Sequence, residues 1–230
     1  MKLSSVSFFC PALNERENLP KLISHVQSVL PRLADQFEII IIDDGSTDGT
    51  QIIAKKLEDS YPHIRVIHHN TNLGYGVSLA EGFKTAKYDY IMYTDADFQY
   101  DIGQFLPYID MLKDHDILSG YVKKKAASLG RSFQSFIYNQ IIRLFFGTSF
   151  RDINCAMKIY SRKVIDNITI KSHGFFVDAE MLIKSSRKGF RVAQFPVAHL
   201  PRSSGVATGS HPLLILQTIA EIIKFRVGFL

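Results

Sequence analysis

Apolar runs and stretches of helical period alternate along the first hundred residues. Positions 6–10 form a short apolar run ended by Pro11, and positions 37–42 form another, rich in β-branched residues and ended by Asp43-Asp44-Gly45-Ser46. Both predict buried strands. Between them Leu19, Leu22, Ile23, Val26, Val29 and Leu30 recur at helical spacing, so residues 18–30 are expected to form a helix and the chain opens as strand, helix, strand. The alternation continues with a helix over 50–60, a strand over 64–68, a helix over 76–86 and a strand over 90–94. The expected fold class is α/β, with a mostly parallel central sheet flanked by helices. Ligands of such sheets sit beyond the carboxyl ends of the strands. Three polar clusters, at 11–15, 43–46 and 95–99, should therefore meet on one edge.

The second half is less regular. Its pattern predicts a helix over 102–113, a strand over 116–120, a helix over 132–146, a strand over 156–160, a helix over 178–188 and a strand over 192–197. Neither an internal repeat nor a linker interrupts it, so a single domain over 1–230 is expected. Residues 211–230 read as a C-terminal amphipathic helix, with Ile215, Ile219, Ile222 and Ile223 on one face. Glu221, Lys224 and Arg226 interrupt its apolar run, so it is not expected to span a membrane.

Composition narrows the partners. An apolar fraction of 46% against 21% charged residues is that of a folded globular chain. The net charge of +5 favours anionic partners in general. No basic recognition helix, C-x-x-C finger or aromatic RNA-binding motif is present, so nucleic acid is not an expected partner. Two cysteines, Cys10 and Cys155, without metal-site spacing point to a reducing cytoplasm. Residues 1–5 lack the apolar core of a signal peptide.

Candidate chemistry concentrates at the predicted strand ends. Asp95, Asp97 and Gln99 alternate, so on extended backbone their side chains would share one side and could reach one cation. Oxygen donors of this kind suit Mg2+ or Mn2+ bridging a diphosphate; a simple polar turn is the competing explanation. The segment Asp43-Asp44-Gly45-Ser46-Thr47-Asp48-Gly49-Thr50 supplies turn glycines and helix caps, and its two adjacent carboxylates call for hydrogen-bond donors.

Pro11-Ala12-Leu13-Asn14-Glu15, the Asp43 to Thr50 segment, Asn72-Leu73-Gly74 and Asp95-Ala96-Asp97, in that order, resemble the inverting family 2 glycosyltransferases of GT-A fold. Within that family the dolichol-phosphate mannose synthase and polyprenyl-phosphate glycosyltransferase branch is the most similar. The resemblance implies a nucleotide-sugar half over 1–100 and an acceptor half over 101–210. Pro11, Leu13, Glu15, Ile42, Asp43, Asp44, Asp95 and Ala96 would contact the nucleotide sugar, with Glu15 near the ribose and Asp44 accepting from the base. Leu13 stands where many relatives carry Tyr. Asp97 and Gln99 would bind the metal, with Asp95 a further ligand.

On the acceptor side the resemblance implicates Arg131, Asp152, Lys158, Asp178, Glu180 and Arg202, with Lys158 in place of the family's Arg. Asp97, Arg131 and Arg202 would form the catalytic set. A sugar hydroxyl needs a general base, for which Asp152, Asp178 and Glu180 are the candidates. A lipid phosphate is already anionic and needs cationic positioning, for which Arg131, Arg202 and Lys158 are present. The expected function is transfer from a UDP- or GDP-sugar to a polyprenyl phosphate at the cytoplasmic membrane face. Transfer to a sugar hydroxyl, or a non-catalytic nucleotide-sugar-binding role in a membrane complex, are the alternatives. Lys123-Lys124-Lys125 ahead of the aromatic-rich 132–146 helix suits peripheral attachment to an anionic inner leaflet, and packing of that helix into the core explains it too.

Overall fold

The computed structural model describes residues 2–123, 129–202 and 212–228; the side chains at 129–133, 212, 213 and 215 lie outside that description. Lys124, Lys125 and Gly205 therefore fall outside the described residues, as does the side chain of Arg131.

Among the described residues, seven strands build one mixed sheet: β1 (Leu3–Ala12), β2 (Ala34–Asp43), β3 (Ile64–His68), β4 (Tyr90–Tyr93), β5 (Ile117–Val122), β6 (Lys158–Ser161) and β7 (Val192–Val197). Their spatial order is β3-β2-β1-β4-β6-β5-β7. The helices are α1 (Leu19–Leu33), α2 (Thr50–Ser60), α3 (Tyr75–Thr85), α4 (Leu129–Phe146), α5 (Arg162–Asn167), α6 (Val177–Arg187) and α7 (Pro212–Arg226). Every apolar position predicted for α1 is buried, as the helical period requires. The short helix α5 has no counterpart in the sequence expectation, and residues 102–113 form two 3-10 turns, Ile102–Phe105 and Ile109–Lys113, in place of one helix. The first of these is started by Asp101, whose side chain accepts from the Gly103 N–H.

Parallel pairing of β1 with β2 and β4, and of β2 with β3, brings their carboxyl ends to one edge, with Ala12 opposite Asp43 and Asp43 opposite His68. β6 alone runs against its neighbours, so its first residue, Lys158, lies opposite Tyr93 at the end of β4. The chain enters β6 and leaves β7 at this same edge. Pro11 can sit within a central strand because the β1–β4 ladder stops at Phe9 and Tyr93, leaving that side of Pro11 without a strand to pair.

Candidate functional site

Two carboxylates close the end of β2 and fix the neighbouring loops. Asp43, fully buried, lies 2.6 Å from His68 Nδ1 and accepts from the Ser46 N–H. Asp44 accepts from the Leu73 and Gly74 N–H groups at 2.9 and 3.0 Å, and its other contact is His69 Nδ1 at 2.8 Å. The loop at Asn72-Leu73-Gly74 is thereby clamped against β2. Gly45, with φ of 73°, lets the chain pass where a Cβ would lie 2.6 Å from the Asn72 nitrogen. Asn14, in the left-handed region at φ 57°, ties the end of β1 to the same turn: its N–H donates to Ser46 Oγ and its side chain accepts from the Thr47 N–H.

Glu15, Asp97 and Arg202, far apart in sequence, meet at this edge. Glu15 is buried, accepts from Asn18 Nδ2 at 2.6 Å and from Arg202, and its N–H donates to Thr50 Oγ1. Burial pushes the Glu15 carboxyl up, against the downward pull of Asn18 and the Arg202 guanidinium. The guanidinium also stands 3.7 Å from Asp97. Arg202 reaches this place because residues 198–202 are stitched to the 99–104 segment: Leu200 N–H donates to Gln99 O, and Ala198 exchanges two bonds with the Gln104 side chain.

Asp95 retains a partly exposed edge. Its carboxyl is nevertheless pushed up to about 8, chiefly by burial and then by Asp97 and Asp178, while Tyr75 and Lys158 pull it down. The Tyr75 hydroxyl donates to it at 3.0 Å. Of the remaining predicted nucleotide contacts, Ile42 and Ala96 are buried and Pro11 and Leu13 half-buried.

The 95–99 segment is not extended. It turns at Ala96 and Asp97 and carries Phe98 at φ 54°, an uncommon backbone for a bulky residue. The two-residue alternation that would align Asp95, Asp97 and Gln99 is therefore lost. Gln99 instead donates from Nε2 to Leu200 O at 3.0 Å, so its amide helps hold the segment that carries Arg202. Among the described residues no group of three His, Cys, Asp or Glu side chains is gathered as a metal site.

Beneath Asp95 lies a buried ionic cluster. Lys158 is fully buried, and its ammonium donates to Asp178, Tyr93 Oη and Cys155 O. Three donors meet three acceptors, which corrects the expectation that Lys158 would reach a phosphate. Asp178 also accepts from the Tyr93 hydroxyl. Glu180, fully buried on α6, accepts from the Lys171 and Ser172 N–H groups and from Lys184. Its charge is spent holding a loop, so it is not placed to serve an acceptor as a base. Asp152 is buried, with Cys155 close by.

Tyr75, His68 and His69 escaped the reading of the sequence. The two histidines had a usable signal, since parallel register puts the end of β3 beside the end of β2. Tyr75 had none, because its partner Asp95 belongs to a different strand end.

The fold is shared with known proteins. Residues 7–169 match the glycosyl transferase family 2. Glycosyltransferase AglD of Haloferax volcanii is 32% identical over 209 residues, covering 86% of this chain and 33% of that protein. An undecaprenyl-phosphate 4-deoxy-4-formamido-L-arabinose transferase of Salmonella choleraesuis is 29% identical over 216 residues, 93% of this chain and 65% of the relative. The chain thus spans a third of one relative and just under two thirds of the other. Glucosyl-3-phosphoglycerate synthase of Mycobacterium tuberculosis, solved with Mn2+, UDP and glucosyl-3-phosphoglycerate, superimposes with a TM-score of 0.72 at 22% identity, over 98% of this chain and 80% of that one. The same enzyme with Mg2+ and UDP gives 0.71 at 20% identity and the same coverage. The sheet order, with its single reversed strand, is that of the GT-A fold, and with the match over residues 7–169 it places this chain in glycosyl transferase family 2.

Proposed function

We propose that the chain moves a sugar from a nucleotide diphospho-sugar to a polyprenyl phosphate, with Mg2+ or Mn2+, at the cytoplasmic face of a membrane. The observation that carries the choice of acceptor is the state of the carboxylates. Attack by a sugar hydroxyl requires a base to take its proton. Two of the three candidate bases are already engaged, Asp178 with Lys158 and Tyr93, and Glu180 with Lys171, Ser172 and Lys184. A phosphate oxygen is already anionic and needs only a cation to steer it. Arg202 stands at the edge for that role, and a guanidinium fork matches phosphate oxygens. Arg131 is its proposed companion, and Asp152 a polar wall of the acceptor side.

For the donor, Asp95 and Asp97 are neighbouring carboxylates, with Asp95 raised first by burial and then by the charge of Asp97, and oxygen donors of this kind suit a hard divalent cation. Asp97 would be the main ligand and Asp95 the second; Gln99 holds the Arg202 segment. The ion, when bound, supplies charge neutralisation of the departing diphosphate. Glu15, with its Asn18 and Thr50 partners, would take the ribose. Asp43 and Asp44, already bonded to the protein, would offer the base the lone pair left on Asp44 Oδ2. Relatives named for undecaprenyl phosphate and neighbours solved with UDP and Mn2+ or Mg2+ support this reading.

Radiolabelled UDP- and GDP-sugars, offered with undecaprenyl phosphate, dolichyl phosphate or soluble saccharides, test it. Label should enter the organic phase and require metal. Asp97→Ala should lower transfer by at least about a hundredfold, the scale seen when a transition-state charge loses its partner. Transfer to saccharides alone would overturn the choice of acceptor.

A further inference from the structure

A continuous path of contacts leads from the C-terminal helix to Asp95. Glu221, near the middle of α7, does not face solvent with its charge: Oε1 accepts from the His173 N–H at 2.9 Å and from the Gly174 N–H at 3.0 Å. Its Oε2 is buried with no hydrogen-bond partner among the described residues. A carboxylate oxygen buried on a helix is costly unless its bonds are needed. The loop it holds, residues 172–175, lies against the start of α3. His173 O accepts from the Gly76 N–H at 2.9 Å, and a Cβ at position 76 would lie 2.5 Å from the His173 carbonyl carbon. The next residue of the loop but one, Phe175, stacks on Tyr75 with ring centroids 5.3 Å apart and planes at 23°. Tyr75 then donates to Asp95 Oδ1.

We propose that Tyr75 is a positioning residue for Asp95, and that Glu221 of α7 governs it through residues 173–175. Two backbone amides fixed by one carboxylate set the height of Phe175; the stacked ring sets Tyr75; the hydroxyl sets one Asp95 oxygen. α7 is thus coupled to the functional edge through the 173–175 loop. The proposal rests on the glycosyl-transfer reading only in counting Asp95 as functional. Rigid packing is what allows such a path to transmit, since a displaced ring has no slack in which to be absorbed.

Amide hydrogen exchange tests the link without substrate. Glu221→Ala should speed exchange in residues 172–176 and, remotely, in 94–99. Glu221→Gln keeps a carbonyl acceptor and should restore both. Tyr75→Phe should loosen 94–99 alone, and in that background Glu221→Ala should add nothing further at 94–99, the non-additivity expected of residues on one path. Mn2+ and UDP binding should weaken about tenfold in Tyr75→Phe, the cost of one hydrogen bond to a charged group. Unchanged exchange at 94–99 in either single variant would overturn the proposal. So would a uniform rise that includes β1 and β2, which would make α7 a general brace. Absence of glycosyl transfer with the exchange pattern intact would sink the proposed reaction and leave the link standing.

Discussion

Lys158 and Asp178 show how far one residue's role depends on where its neighbours stand. A lysine beginning a strand is ordinarily solvated, but the reversed strand β6 sets Lys158 against Tyr93 in the middle of the sheet. There it is buried together with Asp178. Removing one partner strands a charge in the interior, so Lys158→Met should cost about 3–5 kcal/mol in urea unfolding. Replacing both, Lys158→Met with Asp178→Leu, should recover part of that loss, because no buried charge is left unpaired although the Tyr93 hydroxyl and the Cys155 carbonyl lose a partner. If the double variant is as unstable as the single one, the pair is held by something other than mutual neutralisation. Residue identity alone could not have shown this, whereas the Asp95 and Asp97 motif was legible because its order among the other motifs was specific. The extended alternation expected over 95–99 fails for a local reason: the positive φ of Phe98 turns the chain, and no sequence periodicity anticipates a bulky residue in that conformation.

At the scale of elements, the β-α alternation of the first half was readable because β1 and β2 each carry a short apolar run and α1 has a clean 3.6 period. The second half was harder. Its strands are short, one is reversed, and the apolar pattern over 102–113 serves two 3-10 turns as well as it would a helix. Helix α2 illustrates how a local signal becomes testable. Gly49 precedes it at φ 100° and offers no side chain, so Asp48 does the work, accepting from the Thr50 N–H at 2.9 Å, the Thr50 hydroxyl at 2.6 Å and the Arg16 N–H at 3.2 Å. Modest burial pushes the Asp48 carboxyl up, but these donors outweigh it and hold it below the usual value. A depressed carboxylate contributes stability that is present above its unfolded pKa and lost as pH falls through the folded one. Asp48→Asn keeps one acceptor oxygen but loses the charge and the acceptor of the Arg16 N–H, so it should lower stability at neutral pH by about 1 kcal/mol, the scale of one hydrogen bond. The gap from wild type should narrow as pH falls below the ordinary Asp range. A gap constant with pH, followed by thermal unfolding, would show that the charge on Asp48 is immaterial.

For the whole molecule, the distribution of apolar surface is the informative asymmetry. α4 and α7 meet through Phe146, Phe176 and Phe225, with Phe146 and Phe225 centroids 5.5 Å apart. Of the residues expected on one face of α7, Ile222 is buried, Ile219 and Ile223 point outward, and the side chain of Ile215 lies outside the described residues; Leu216 is exposed as well. On α4, Phe136, Ile137, Leu144 and Phe145 are likewise exposed, Leu144 by 83%. No described helix is long and apolar enough to cross a membrane. Lys123, Lys224 and Arg226 add positive charge to the same elements or their approaches, the combination that binds anionic headgroups. The chain should float with vesicles containing phosphatidylglycerol and stay behind with neutral ones at moderate salt. Burying one leucine-sized side chain is worth about 1.5–3 kcal/mol, so Leu144→Glu or Ile223→Glu should each weaken vesicle binding by at least about tenfold. Both positions are exposed, and thermal stability should be unchanged. Raising salt should weaken binding without abolishing it, because the apolar contribution is not screened. Binding that vanishes with salt and ignores both substitutions would mean that charge alone holds the protein there; no binding to anionic vesicles would remove the membrane from the proposed function and leave α4 and α7 as a face for another protein.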